Sequence, residues 1–232
     1  MTPALCPADF EALRRIDACL VANVIESFRV RLRNEGFANG SIHCLFPALP
    51  PMVGHAVTLK IRGASPPAGG AATYLDRSDW WDYVLSVPAP RIVVVEDVSA
   101  SPGVGALLGE VHASILRALG CVGAITNGAV RDLPAVESMG FPLFAGSLTV
   151  SHSYVHIVET GAPVEIGGLR IQSGELLHGD RHGFQSIPVE IAAEIPAAAA
   201  RLAKREQALI ALCRASDFSL EKLRGAIAAS PR

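Results

Sequence analysis

The sequence has no surplus of positive charge and no long apolar run. Its 20 Lys and Arg residues are balanced by 22 Asp and Glu residues, which leaves a formal net charge of −2 over 232 residues. A nucleic-acid-binding protein is not expected from this balance. The apolar stretches are too short or too interrupted to span a bilayer, and the N-terminus carries charges where a signal peptide has its apolar core. We therefore predict a cytoplasmic protein that binds neither nucleic acid nor a membrane.

The cysteines are few and form no recognisable pattern. There are five, scattered along the chain without a CxxC motif: Cys6, Cys19, Cys44, Cys121 and Cys213. A disulfide framework or a zinc site is therefore not expected, and most of these thiols should behave as small apolar residues. Cys121 lies in the apolar run GCVGAI with no obvious general base beside it, so a catalytic role for this thiol is only a minor alternative.

Half of the residues are apolar, which is enough for one sizeable domain. Helical spacing of apolar residues predicts a first helix, and a βαβ pattern with a parallel sheet follows later in the chain. The predicted elements are a helix over 8–33, a strand over 53–61, a loop over 63–73, a strand over 91–97, a helix near 106–119, a strand over 121–127, a short helix over 133–139 and a strand over 141–146. The fold class is accordingly α/β.

The C-terminal part has a different pattern. Residues 164–171 contain two short strand-like runs joined by Gly167-Gly168, which is a hairpin signal. Residues 173–183 predict a turn, a short strand and a second turn. The remainder, 188–228, is mostly helical, with a break near Pro196. We predict a single domain over 1–232 that ends in a helical extension from about residue 188.

A glycine-rich loop follows the predicted strand 91–97. Gly103, Gly105 and Gly109 stand between that strand and a helix, where backbone N–H groups and the helix N-terminus favour an anion. The spacing GxGxxxG differs from the dinucleotide fingerprint, and the acidic partner expected on the following strand is missing. A small anion such as a carboxylate, a dinucleotide and a plain tight turn all remain open interpretations.

Acidic and basic side chains follow two neighbouring strands. Glu110 comes just inside the helix after the glycine loop, and Arg131-Asp132 follows the strand 121–127. Because ligands of α/β sheets bind outside the carboxyl ends of the strands, these three residues should converge there. Two carboxylates suit a hydrated divalent cation, and an arginine suits a carboxylate or a developing enolate. A local ion pair that closes a turn is the alternative.

Two other polar segments have structural explanations as well as functional ones. In HGDRH, His178 and His182 flank Asp180 and could hold a metal, but a hydrogen-bonded turn in which Asp180 caps backbone amides is the favoured interpretation. Glu206 lies in the polar run KREQ, which taken alone indicates a solvated helix face.

The segment GALLGEVHASILRALGCVGAITNGAVRDLPAVESMGFPLFAG resembles the core of the RraA-like family. The later segment PVEIGGLRIQSGELLHGDRHGFQSIP is similar to the second signature of that family. The resemblance covers roughly 10–225. It implies a compact α/β/α arrangement related to swivelling β/β/α domains, assembled as a homotrimer or hexamer. The family contains the regulator of ribonuclease activity A and metal-dependent aldolases, which cleave 2-oxo-4-hydroxy diacids to pyruvate and decarboxylate oxaloacetate.

The resemblance also implies roles for particular residues. Asp132 would ligate Mg²⁺ or Mn²⁺ directly, and Glu110 would hold metal-bound water. Arg131 would bind the 2-oxo acid substrate and stabilise the pyruvate enolate. The amides that follow Gly109, at Val111 and His112, would receive the pyruvate carboxylate. Glu206 is similar to a C-terminal glutamate that, in the aldolases, reaches the metal region of a neighbouring subunit.

Two residues depart from the family pattern. The usual Gly-Asp pair is Gly109-Glu110 here, and the usual aspartate before Gly128 is Asn127. The longer carboxylate side chain affects where water and substrate sit, and the amide removes a charge from the sheet edge. The favoured interpretation is a class II pyruvate aldolase or decarboxylase. The rivals are a non-catalytic regulator that binds a ribonuclease or helicase, and a methyltransferase, for which the glycine loop lacks a nucleotide fingerprint.

Overall fold

The computed structural model describes residues 5–68 and 77–229, with the backbone alone at 77–79. Part of the predicted loop 63–73 lies outside the described residues. The helices are α1 (Pro7–Leu13), α2 (Ala18–Phe28), α3 (Arg77–Ser86), α4 (Glu110–Ala118), α5 (Leu133–Ser138), α6 (Ile195–Arg214) and α7 (Leu220–Ala228). The strands are β1 (His43–Cys44), β2 (Met52–Arg62), β3 (Arg91–Asp97), β4 (Ala106–Leu108), β5 (Cys121–Val130), β6 (Leu143–Leu148), β7 (His156–Thr160), β8 (Val164–Ile166), β9 (Leu169–Ile171), β10 (Leu176–Asp180) and β11 (Gly183–Ile187). None of the helices in these ranges is long and apolar enough to cross a membrane.

One nine-stranded mixed sheet organises the chain. Strands β6, β5, β3 and β2 lie side by side and run parallel, which confirms the predicted βαβ pattern. The antiparallel strand β1 borders this set at one end, and the β10–β11 hairpin borders it at the other. Strand β4 adds to β5 in parallel, and β7 adds to β2 antiparallel. The carboxyl ends of β3, β4, β5 and β6 therefore meet at one edge.

The alternation of side chains along β2 separates two layers. Val53 and Val57 lie on one face of the sheet, each in an apolar cluster that also contains residues of the helices. Met52 and Ala56 lie on the opposite face. That opposite face packs against the separate hairpin β8–β9, whose inward residues include Val164 and Ile171. The order of layers is hairpin, sheet, helices, which confirms the α/β class; a β-hairpin, and not a second layer of helices, covers the other face of the sheet.

Three predicted elements require correction. The predicted helix 8–33 is two helices, because the chain turns between Leu13 and Ala18 and Asp17 caps α2 by accepting from the Leu20 amide at 2.9 Å. The predicted helix 106–119 begins only at Glu110, because residues 106–108 first pair with β5 as a strand. The strand predicted over 121–127 continues to Val130, with an irregular register between Thr126 and Ala129.

The C-terminal helices begin packed against α2 and become exposed further along the chain. The predicted break near Pro196 is confirmed, because a 3-10 turn at Ala192–Glu194 precedes α6 and the proline occupies its first turn. Only the first turns of α6 contribute buried residues, and α7 contributes none. Large apolar side chains of this segment are exposed: Ile210, Phe218, Leu220 and Ile227. We call residues 201–228 the C-terminal arm.

Candidate active site

Residues after three neighbouring strands meet at the carboxyl edge of the sheet. The backbone amide of Arg131, directly after β5, donates to the carbonyl of Leu108 at the end of β4, at 3.0 Å. That bond places the Arg131-Asp132 pair beside Gly109, which is the residue before α4. The structure therefore brings Gly109, Glu110, Arg131 and Asp132 together, as the sequence predicted.

The Asp132 side chain connects the starts of two helices, α4 and α5. Asp132 is the residue before α5, yet its carboxylate does not cap that helix. Instead Oδ2 accepts the amide of Glu110, the first residue of α4, at 3.2 Å. The positive end of the α4 dipole stabilises the carboxylate there. Asp132 has the left-handed backbone conformation (φ 58°), which is strained for a residue with a side chain. Such strain is typical of residues held in place for function.

The guanidinium of Arg131 contacts the same carboxylate oxygen. Its Nε lies 3.3 Å from Asp132 Oδ2, and its Nη1 donates to the carbonyl of Val150, after β6, at 3.3 Å. The side chains of Arg131 and Asp132 are 29% and 38% exposed, so both remain accessible from solvent. Within the described residues, Asp132 Oδ1 has no hydrogen-bond partner. The ion pair that was an alternative to a functional site is therefore present, but it leaves one carboxylate oxygen open.

Gly109 is required by the closeness of this pair. A Cβ at this position would lie 2.6 Å from Asp132 Oδ2 and 3.0 Å from Arg131 Cγ. The backbone of Gly109 is extended, so any residue could adopt its conformation. Only the approach of the Asp132 carboxylate to the start of α4 explains the glycine.

The first turn of α4 faces solvent at this edge. Glu110 is exposed, and the side chain of Val111 is largely exposed at 69%. The imidazole of His112 is buried at 8% exposure, so it is directed into the protein and only its backbone belongs to the helix end. Since N–H groups of a first turn have no carbonyl partner within the helix, this end is suited to a carboxylate.

A contact between Asn127 and Asp97 that the sequence reasoning missed supports the edge. The Asn127 side chain accepts from the Asp97 amide at 2.7 Å and donates to the Asp97 carbonyl at 3.2 Å. The buried carboxylate of Asp97 in turn accepts from the amides of Ser99 and Gly103. An aspartate at position 127 could accept but not donate when ionised, and it would add a second charge beside Asp97. The side-chain amide of Asn127 is therefore the group that this contact requires. Asp97, the acidic residue that ends RIVVVED, was the sequence feature that could have indicated the contact.

The first two glycines of the loop have a packing role. Strand β4 separates Gly103 and Gly105 from the start of α4. A Cβ at Gly103 would lie 2.4 Å from Ser147 Oγ, and one at Gly105 would lie 2.3 Å from the carbonyl oxygen of His152. Gly103 makes room for the end of β6, and Gly105 for the segment that follows it. Of the three, only Gly109 lies at the helix end.

Glu206 lies elsewhere in the same chain. It lines a cavity of about 240 Å³ between α2 and α6, together with Glu26, Arg29, Arg33 and Arg205 among others. The described residues contain no group of three His, Cys, Asp or Glu side chains placed to hold a metal. Asp132 and Glu110 supply carboxylates at this edge, and two carboxylates fit a Mg²⁺-like ion that keeps several waters.

The HGDRH segment is a structural clamp at the opposite edge. The favoured interpretation is confirmed, because Asp180 accepts from the amides of His182 at 2.8 Å and Ala18 at 2.9 Å. His178 is fully buried, and its Nε2 lies 3.0 Å from the Ile16 carbonyl. Gln185, opposite His178 on β11, donates to the Ala18 carbonyl at 2.7 Å. These bonds fix the turn between α1 and α2.

Cys121 is not an activated nucleophile. Its side chain is buried at the start of β5, and burial raises the pKa of the thiol to about 12. The thiolate, which is the reactive form, is therefore scarce at neutral pH. The burial of the thiol therefore argues against the minor alternative of a catalytic cysteine.

The fold and this edge define an α/β protein with an acid–arginine site at the carboxyl ends of parallel strands. The RraA-like family profile, described as Aldolase/RraA, matches residues 21–184. The chain belongs to this family, which confirms the resemblance.

The individual relatives have low sequence identity to this chain or match only part of it. A Halalkalibacterium halodurans protein provisionally named 4-hydroxy-4-methyl-2-oxoglutarate aldolase is 32% identical over 84 residues, which span 36% of this chain and 40% of that protein. An uncharacterized protein from Pseudomonas syringae pv. tomato has a similar structure (TM-score 0.74, 20% identity, 98% and 97% of the two chains covered). Streptomyces coelicolor RraAS2, described as an unusual member of the RNase ES inhibitor RraA family, is also similar (TM-score 0.68, 21% identity, 88% and 96% covered).

Proposed function

We propose that the protein is a divalent-metal-dependent lyase that releases pyruvate from a 2-oxo-4-hydroxy diacid or from oxaloacetate. The observation that carries the proposal is the Asp132 carboxylate. It is held at the end of α4 by the Glu110 amide and Arg131, with its second oxygen open. An ion pair that only closed a turn would not require a strained backbone and a glycine in contact with the carboxylate.

Some residues of this edge would bind the metal ion and the substrate, and others would stabilise negative charge on the substrate. Asp132 would hold Mg²⁺ or Mn²⁺ directly, with Glu110 holding a water in its shell. The cation supplies Lewis-acid stabilisation of negative charge on the 2-oxo oxygen. The amides at Val111 and His112 would bind the substrate carboxylate at the end of α4. Arg131 would stabilise the enolate that remains after cleavage or decarboxylation, and the water at Glu110 would protonate its C3 carbon.

The C-terminal arm supports a composite site. Glu206 lies on the arm, which contributes no buried residue of its own and exposes Phe218, Leu220 and Ile227. Exposed apolar side chains in this number are typical of a subunit contact. A homotrimer or hexamer in which the arm crosses to a neighbour would bring Glu206 to that neighbour's metal region. Light scattering of the intact chain and of Phe218→Asp tests this assembly.

The central experiment compares two helix-capping aspartates. Asp132→Ala should abolish the metal-dependent release of pyruvate from oxaloacetate and from a 4-hydroxy-2-oxo diacid. Asp17→Ala removes a cap of similar kind from α2, costing about 1 kcal/mol of stability, and should leave the release unchanged. No release with Mg²⁺ or Mn²⁺ by the wild-type protein, or full release by Asp132→Ala, would refute the proposal.

The rival function is a non-catalytic regulator of a ribonuclease or helicase. The observation in its favour is the structural similarity to RraAS2, which at 21% identity shows the fold alone. Binding of a ribonuclease by a protein that releases no pyruvate would establish this rival.

A further inference from the structure

A histidine outside the residues already assigned lies beside the site. His152 follows β6 in the segment Thr149–Tyr154, which carries the carbonyl that Arg131 binds, at Val150. Two residues of chain span at most about 7 Å between Cα atoms, so His152 lies within that distance of the Val150 backbone. The histidine is exposed to solvent.

The segment is fastened to the strands of the site. The Thr149 amide donates to the Val130 carbonyl at the end of β5, at 3.2 Å, and the Ala106 amide donates to the Ser151 carbonyl at 3.0 Å. Gly105 leaves the space that the His152 carbonyl occupies. The next residue, Ser153, has the left-handed conformation (φ 48°). Asp132 and Ser153 are thus two of the few non-glycine residues with such strain among the described residues, and both are in this region.

The same contacts define the state of the imidazole. His152 Nδ1 lies 2.9 Å from the carbonyl oxygen of Ala106 at the start of β4. A carbonyl oxygen only accepts, so Nδ1 carries the hydrogen and the neutral ring presents Nε2 as an acceptor. A ring fixed in this way by a backbone carbonyl is the arrangement that general bases use.

We propose that His152 is the base that takes the proton of the C4 hydroxyl in aldol cleavage. This rests on the proposed function. As Nε2 accepts that proton, the C4–O bond becomes a carbonyl and the C3–C4 bond breaks. Its electron pair passes to the pyruvate enolate, which Arg131 stabilises. A proton from solvent then reaches C3 of the enolate, and the imidazolium returns to solvent the proton that it took. Decarboxylation of oxaloacetate has no hydroxyl proton to remove and does not use His152.

The test is the ratio of two activities of one protein. His152→Asn keeps a side-chain N–H donor at the position of Nδ1, for the Ala106 carbonyl, but removes the base. It should lower the kcat for cleavage of a 4-hydroxy-2-oxo diacid by about 100-fold and leave oxaloacetate decarboxylation within about three-fold. In His152→Ala, added imidazole should restore part of the cleavage rate. His156→Asn is the matched control, because the Nδ1 of His156 also contacts a backbone carbonyl, that of Tyr154, at 2.7 Å, but His156 lies on β7. This variant should retain both activities.

Three outcomes separate the hypotheses. An equal fall of both activities in His152→Asn, without rescue of His152→Ala by imidazole, would show a structural role and overturn this proposal. Unchanged cleavage would overturn it as well. Absence of both activities in the wild-type protein would refute the proposed function, and with it the role of His152.

Discussion

Substitution of Gly109 by alanine tests the contact on which the site depends. The added Cβ would lie 2.6 Å from Asp132 Oδ2, whereas ordinary contact begins at 3.4 Å, so the carboxylate must retreat by roughly 0.8 Å. The hydrogen bonds from the Glu110 amide and Arg131 Nε are already 3.2 Å and 3.3 Å long. A retreat of this size lengthens both beyond the useful range.

The cost to stability should be modest and the cost to activity large. A hydrogen bond to a charged group contributes about 1.5–3 kcal/mol, but the Asp132 side chain is 38% exposed, so we expect a loss of about 1 kcal/mol. In a domain of this size that lowers Tm by about 2–4 °C. A displaced reacting group costs about 100-fold in rate.

The assay measures pyruvate release at saturating Mn²⁺, together with thermal unfolding. Gly40→Ala is the control, because a Cβ at Gly40 meets nothing within 4 Å and its φ is not positive. The backbone of Gly109 adds no strain of its own, so any effect is steric. Full activity and an unchanged Tm in Gly109→Ala would refute the geometry described for Asp132, whatever the reaction is.

Two predictions concern groups away from the site. Burial lowers the pKa of His178 below its ordinary value of about 6.5, so the unfolded chain binds a proton at this histidine before the folded protein does. The free energy of unfolding should therefore fall by up to about 1.4 kcal/mol per pH unit as the pH drops below 6.5. Urea unfolding at pH 7.5 and 5.5 would measure this decline, which should be weaker in His178→Gln. Burial raises the pKa of Cys121 to about 12, so iodoacetamide at pH 8 should label the exposed Cys6 and Cys213 and spare Cys121 until the protein unfolds; equal labelling rates in peptide mass spectra would contradict that burial.

Local patterns predicted most elements because they depend on neighbours in the chain. The β-branched run 91–97 is the strand β3, and the Gly167-Gly168 turn joins β8 to β9 through two residues with positive φ. The first helix was predicted too long because its break depends on a remote clamp: His178 and Asp180 bind the backbone of Ile16 and Ala18. No periodicity within 8–33 contains that information.

The candidate site divides in the same way. Composition, spacing and the family resemblance determined that Glu110, Arg131 and Asp132 follow neighbouring parallel strands, and such strands end at one edge. Only the tertiary structure decided that Asp132 caps α4 rather than α5, that Gly109 exists for that contact, and that Asn127 must donate as well as accept. These features are distances of a few ångströms between residues 20 or more positions apart, and they arise from packing, which a linear pattern does not encode.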